Sequence, residues 1–436
     1  MGYSFYHMGD DQLMPARHGF LLGGLLLTFV VLLGLIVAAP AAAQQEDACS
    51  ACHQALGDQA ARLVEEWKGS VHARQGIGCA DCHGGDPRAK DLAQAMSPQA
   101  GFIGVPARKD IPTVCGTCHS DVKRMRQYGI PTDQWQQYRE SVHGQLLAGG
   151  DSNVATCADC HGSHNVRDRK DPQSPVYANN VPATCARCHA NADLMRRYSI
   201  PSDQYAQYQN SVHGRLLLEK QDRRAPNCAT CHGTHGATPP GVNEVANVCG
   251  QCHSAIEKFM LAGRHKGAAG GANLVPRCVT CHGEHEVAKP GVEMFMSTSP
   301  GGCLSCHQNQ RGRVEPLYQT LAAAEESYAR ASEAVDRAEK QRMLVAPHKE
   351  KLQEAMAGVV EARALQHTVD LAKVEEKTKN AIKISLEVKA AAEKAINEML
   401  FRRKAMVIAV GLILLTIILL WQIKRELMRE LAARRR

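Results

Sequence analysis

The sequence predicts a mainly α, loop-rich chain with almost no sheet, ending in a long α-helical hairpin and a transmembrane helix, and three observations predict it. Nine Cys-x-x-Cys-His motifs are strung along residues 49–307. From about residue 313 the composition turns to Ala, Glu, Lys and Leu, with no further cysteine. Residues 405–421, AMVIAVGLILLTIILLW, are apolar and uncharged.

The eighteen cysteines pair without remainder: Cys49/Cys52, Cys79/Cys82, Cys115/Cys118, Cys157/Cys160, Cys185/Cys188, Cys228/Cys231, Cys249/Cys252, Cys278/Cys281 and Cys303/Cys306. Each pair is followed at once by a histidine: His53, His83, His119, His161, His189, His232, His253, His282 and His307. Structural zinc, dithiol exchange and covalent haem attachment all use Cys-x-x-Cys, but only haem c needs histidine at the next position, where it ligates the iron. Disulfides between cysteines this close in sequence would be strained and weak staples. The cofactor expected is therefore haem c, nine covalently attached groups. About 29 residues per motif, with few large apolar side chains, cannot build an ordinary core. The expected domain, residues 44–312, is a multihaem cytochrome domain built around stacked haems.

Internal repetition organises this domain. MRQYGIPTDQWQQYRESVHGQLL begins at Met125 and MRRYSIPSDQYAQYQNSVHGRLL at Met195, an offset of 70 residues. Each unit holds a first motif, a linker histidine (His72, His143, His213 or His265) and a second motif. Three second motifs carry another histidine three positions on, His164, His235 and His285, where the first unit has Asp86. A histidine so close to the motif cannot reach the opposite face of the same haem, so these three are expected to serve neighbouring irons, and the linker histidines likewise. Nine irons need nine such ligands and this region has seven. His348 and His367 in the helical region are the candidates to complete the set, with Met125, Met195, Met260 or Met294, or an open iron, as alternatives.

Residues 1–43 read as a signal peptide cleaved after Ala43 or as an uncleaved anchor, since residues 19–39 are apolar and uncharged. Met14 offers an alternative start, and no lipobox precedes Cys49. In the helical segment, 313–403, Leu317, Leu321, Ala324, Tyr328, Ala331, Val335 and Ala338 step by four and three. Pro347 starts a second helix bearing Leu352, Met356, Val359 and Ala362, which predicts a hairpin able to mediate dimerisation or to pack on its own haem domain. The transmembrane helix is placed at 404–423 and a basic cytoplasmic tail at 424–436, in keeping with the positive-inside tendency. The formal charge of +7 leaves out the haem propionates, so the basic residues are read as their partners and no nucleic acid is expected.

The motifs CADCHG, SVHG and Cys-His-Gly-x-His make residues 49–307 resemble the multihaem c-type cytochromes. That resemblance implies stacked haems carrying electrons in a respiratory chain, between the quinol pool or a quinol-oxidising membrane partner and periplasmic redox proteins or extracellular acceptors. It implies a bacterial cytoplasmic membrane location with the haem domain in the periplasm. Octahaem hydroxylamine-oxidising and tetrathionate-reducing enzymes and pentahaem nitrite reductase are similar, which keeps open a second reading: a reductase of a small nitrogen or sulfur compound with one five-coordinate haem. Some of those enzymes use Cys-x-x-Cys-Lys, whereas every motif here ends in histidine.

Overall fold

The computed structural model describes residues 48–238, 245–266 and 276–434. Residues 1–43, read above as a signal peptide or an uncleaved anchor, lie outside them, His7 and His18 included. Helices and loops make up the described residues, and no β-strand occurs among them. They form two compact units, one of residues up to 107 with 163–166, the other of 108–162 with 167 onward.

In the first unit the motif helices Ala48–Leu56 and Cys79–His83 pack against each other, with helices Asp58–Lys68 and Val71–Arg74 between them in sequence. The Trp67 indole N–H donates to the carbonyl of Ile77 at 2.9 Å and closes the connection. In the second unit the first motifs end nine-residue helices, Ile111–His119 and Val181–His189, which carry Pro112 and Pro182 in their first turns, where no intrahelical N–H is needed. The second motifs are five-residue helices, Cys157–His161, Cys228–His232 and Cys278–His282. Each packs on the first-motif helix of its own repeat.

Helices this short do not persist alone in water. Their own apolar core is thin: Val64, Ala73, Met125, Leu147, Val154, Met195, Leu217 and Leu304 are the buried hydrophobic residues described before position 311. The haem groups that the motifs lead one to expect would supply what the side chains do not.

The rest of the chain is helical. Helices α1 (Arg311–Lys340) and α2 (Ala346–Leu365) form the expected hairpin, and Leu317, Leu321, Ala324, Ala331, Val335 and Ala338 are its buried seam. Leu352, Val359 and Ala362 face it from α2, whereas Met356 is 36% exposed. A third helix, α3 (Leu371–Arg434), packs on both through Val374, Thr378, Ala381, Ile384, Ser385, Val388 and Ala392, so the region is a three-helix bundle rather than a hairpin alone. The second turn escaped the sequence pattern because it contains neither glycine nor proline. It closes at Val369, a β-branched residue at φ 53°, a left-handed conformation that ordinarily calls for glycine. Helix α3 runs unbroken past position 404, its residues from 401 on exposed, and is long and apolar enough to cross a membrane. The stretch from Leu371 to Ala405 measures about 50 Å at helical rise.

Candidate functional site

Imidazole rings of the described residues meet in pairs, seven of which have closely similar separations. Their centroid separations are 6.1 Å for His83–His164 and His143–His189, 6.0 Å for His161–His235 and His232–His285, 6.3 Å for His213–His253, and 6.2 Å for His265–His307 and His282–His367. Each pair joins one motif histidine to one histidine from elsewhere. Rings in face contact would sit about 3.5–4 Å apart. Two axial imidazoles sharing one metal, with metal–nitrogen bonds of about 2 Å, place their centroids roughly 6 Å apart. The residues present therefore fit haem iron held from both faces. A bare metal ion is not accommodated in this way: among the described residues no group of three or more His, Cys, Asp or Glu converges on a point.

Local chemistry aims these rings. In the linkers, Ser70, Ser141 and Ser211 are buried N-caps whose hydroxyls accept from the N–H of Ala73, Gly144 and Gly214 at 3.1, 3.0 and 2.9 Å. The histidine follows two positions later, in the first turn, so cap geometry sets its direction. Gly144 and Gly214 allow the helix to touch the preceding one: a Cβ there would stand 1.9 Å from the carbonyl oxygen of Tyr138 or Tyr208. Removing one cap as Ser141→Ala is expected to cost about 1–2 kcal/mol in denaturant unfolding. The same variant should broaden the low-spin spectrum of the haem served by His143.

In the second motifs, the side chain of the residue before the second cysteine accepts a hydrogen bond from the backbone N–H at the start of the motif helix. Asp81 accepts from the N–H of Gly78 at 2.8 Å, Asp159 from Thr156 at 2.7 Å, Thr230 from Asn227 at 3.1 Å and Thr280 from Arg277 at 3.0 Å. After each motif histidine comes a glycine in the left-handed region, Gly84, Gly162, Gly233 or Gly283, with φ of 69–84°. That turn carries the chain away from its own haem. His164, His235 and His285 are thereby directed to His83, His161 and His232 of the preceding repeat.

A backbone joint fixes each exchange. The N–H of Val71 donates to the carbonyl of Val166 at 2.8 Å, Val142 to Ala237 at 3.4 Å, and Val212 to Val287 at 2.9 Å. Each joins the residue before a linker histidine to the segment two residues past a second histidine. The last repeat has no following repeat to call on, and the turn after α2 takes its place: Arg264 N–H donates to the carbonyl of Thr368 at 3.2 Å. Gly263 permits this approach, since a Cβ would lie 2.6 Å from the carbonyl oxygen of His367. His72 and His119 occupy the places in the repeat that His143 and His189 occupy in the next.

Burial favours the neutral form of ten of these rings. It pushes His143, His164, His189, His213, His235, His265, His282, His285 and His367 below the ordinary imidazole value. His161 falls furthest, to about 4, through burial first and then the charges of His235 and His119. A neutral imidazole keeps the lone pair that a metal takes.

The two thiols of a motif are not equivalent in the fold, although identical motifs suggest that they should be. All nine leading cysteines, Cys79 and Cys303 among them, are half-buried. In three repeats the leading cysteines of paired motifs lie side by side: Cys115 with Cys157, Cys185 with Cys228, and Cys249 with Cys278. The attachment edges of the two groups in a repeat are thus adjacent. The second cysteines depart from that pattern. Cys52, Cys82, Cys231, Cys252, Cys281 and Cys306 are exposed, while Cys118, Cys160 and Cys188 are half-buried. A residue three positions on is rotated about 60° around the helix, which turns the second thiol off the helix–helix contact and toward the outer rim. Where the rim is covered, neighbouring side chains do it: the Arg124 guanidinium donates to Cys118 Sγ at 2.9 Å, and burial pushes the Cys160 thiol up to about 11. Cys306 Sγ accepts only a long contact, 3.8 Å, from the adjacent Ser305 hydroxyl.

Of the two candidates in the helical region, His367 meets a motif histidine and His348 does not. His348 stands in the first turn of α2, about 28 Å along the helix from His367 and at the opposite end of the bundle. Met125 and Met195 are buried in their repeats, and the paired positions are all filled by histidine. The serine caps, the joints and the partner of each second histidine were not recognised from the sequence, although the recurring Ser-Val-His carried the signal for the caps.

Comparison with known proteins agrees with this geometry. Residues 71–190 match the family model described as cytochrome c3. A stretch of 118 residues, 27% of this chain, is 25% identical to the C-type polyheme cytochrome OmcC of Geobacter sulfurreducens (strain ATCC 51573 / DSM 12127 / PCA). That stretch spans 14% of the relative's length. No solved structure matches. With its Cys-x-x-Cys-His motifs carried on packed helices and its histidines paired at the spacing an iron requires, the chain is a multihaem c-type cytochrome with covalently bound haem c.

Proposed function

We propose that this cytochrome carries nine haems and relays electrons from a membrane-associated donor to soluble or extracellular acceptors, anchored in the bacterial cytoplasmic membrane by α3 with its haem domain in the periplasm. The observation that carries this reading is the single order followed by all seven histidine pairs. A first-motif haem takes its second imidazole from the linker of the preceding repeat. A second-motif haem takes its own from the repeat that follows, or from His367 at the end. Three of the four second-motif segments therefore serve two irons each, through His161 and His164, His232 and His235, and His282 and His285. Packed motif helices join the two haems within a repeat, which supports a path for electrons along the array.

Haem supplies one-electron exchange; the protein sets its spacing and ligation. An iron already holding two imidazoles needs no new ligand in either oxidation state, which favours fast transfer over substrate chemistry. The same geometry bears on the donor. The turn bearing His367 is separated from the apolar end of α3 by about 50 Å of helix, far beyond single-step tunnelling from the bilayer. At that end the partner is a quinol-oxidising protein or a periplasmic redox protein rather than quinol itself.

Full-length protein in liposomes, reduced chemically and mixed with a membrane-impermeant one-electron acceptor, is expected to reoxidise all its haems together, with nine haem additions in the intact mass. A fraction of haem that stays reduced while the remainder empties would sink the relay.

A further inference from the structure

The first repeat contains a fifth backbone joint, and it is built without histidine. Ala48 N–H donates to the carbonyl of Pro87 at 2.8 Å, as Val71, Val142, Val212 and Arg264 donate at the other four. There the donor residue precedes a linker histidine; here it precedes Cys49. On the accepting segment, Asp86 stands where the later repeats carry His164, His235 and His285. Its carboxylate is engaged locally, accepting from the N–H of Arg88 at 3.0 Å and lying 3.8 Å from the Arg88 guanidinium.

The ligand order gives the two missing histidines different consequences. A histidine at position 86 would serve the second haem of an earlier repeat, and residues 1–48 contain no such motif. A linker histidine before Cys49 would serve the haem of His53, and that haem does exist. The three linker histidines found in pairs, His143, His213 and His265, each serve the first motif of the next repeat. The joint at the head of the array delivers no equivalent to His53. Among the described residues no second imidazole is paired with it, whereas seven other motif histidines have one.

We propose that the haem attached through Cys49 and Cys52 has His53 as its one histidine ligand among the described residues and binds a small external ligand, a neutral diatomic or a small inorganic anion, at its iron. This rests on the haem-ligand reading above. The irons held by two imidazoles exchange ligands only by expelling a protein side chain that its joint holds in place. The head haem carries no such barrier, and it combines a reactive iron with a supply of electrons from the rest of the array.

Carbon monoxide is the probe for the reduced protein and cyanide for the oxidised one. Full-length protein is expected to bind one of either per chain and to show a high-spin ferric signal of about one haem, which cyanide removes. A C49A/C52A variant should carry one haem fewer by mass and lose both the signal and the binding. If that variant does not accumulate, Cys49→Ala alone leaves a single thioether and shifts that haem's visible band, and the shifted band must be the one that carbon monoxide alters. Wholly low-spin, unreactive wild-type protein would overturn the assignment and place a ligand such as His7 or His18 on that iron. Binding that persists without the head haem, or alters an unshifted band, would overturn it in favour of another site. Failure of the underlying reading is separately visible: His143→Ala and His213→Ala would then leave the haem spectra untouched.

Discussion

Replacing His367 by alanine is expected to convert one haem, that attached through Cys278 and Cys281, from low-spin to high-spin, while His348→Ala leaves every haem unchanged. The His367 ring centre lies 6.2 Å from that of His282. Its Nδ1 is 3.0 Å from the carbonyl oxygen of Ala364, which can only accept, so Nδ1 carries the proton and Nε2 keeps its lone pair for iron. The turn does not depend on the imidazole alone. Thr368 Oγ1 donates to Leu365 at 2.7 Å and accepts from the N–H of Asp370 at 3.2 Å, and the Arg264–Thr368 joint is backbone on both sides. The substitution should therefore remove a ligand without unfolding the bundle, and His265 should keep its place opposite His307. Electron paramagnetic resonance of the oxidised protein with a redox titration measures both effects. Unchanged spectra in His367→Ala would make the residue a packing contact and detach the helical region from the haem array.

Truncation after Lys404 is expected to move the protein from the membrane fraction to the soluble fraction with its haem content intact. Eleven of the seventeen residues at 405–421 are Leu, Ile or Val. At about 0.3–0.6 kcal/mol each, they supply several kcal/mol of insertion free energy, roughly two hundredfold or more in partitioning. The bundle should survive, because the buried residues of α3 end at Ala392, well before the cut. Fractionation with a haem stain and a helicity measurement decides the matter. A truncated protein that remains in the membrane would show that α3 is not the anchor.

Some of this protein is legible in its residues because the chemistry is local. Haem attachment requires two thiols and a histidine within five positions, so the motifs declare themselves wherever they occur. The membrane-length run and the seam from Leu317 to Ala338 are patterns of composition and helical period, and each is complete within one segment. Even the excess of irons over nearby histidines follows from counting.

The identity of each iron's second ligand is different in kind. His164 lies three residues from His161, and its ring stands opposite that of His83 in the preceding repeat; His367 reaches His282 across the whole of α1 and α2. Spacing along the chain carries no record of such pairings. They follow from left-handed glycines that turn the chain away from its own haem, serine caps that set the linker histidines, and backbone joints between segments distant in sequence. The unequal exposure of the two thiols in a motif belongs here too, since Cys118 and Cys306 occupy the same motif position and differ only in what other segments lay over them. The third helix was hidden for a related reason: its turn is held by Thr368 and Val369 through tertiary contacts, in place of the glycine or proline that would have marked it. Composition and motif determined what is bound. Only the tertiary structure decided which histidine meets which iron, because that depends on where separate segments are brought together and not on any property of the segments alone.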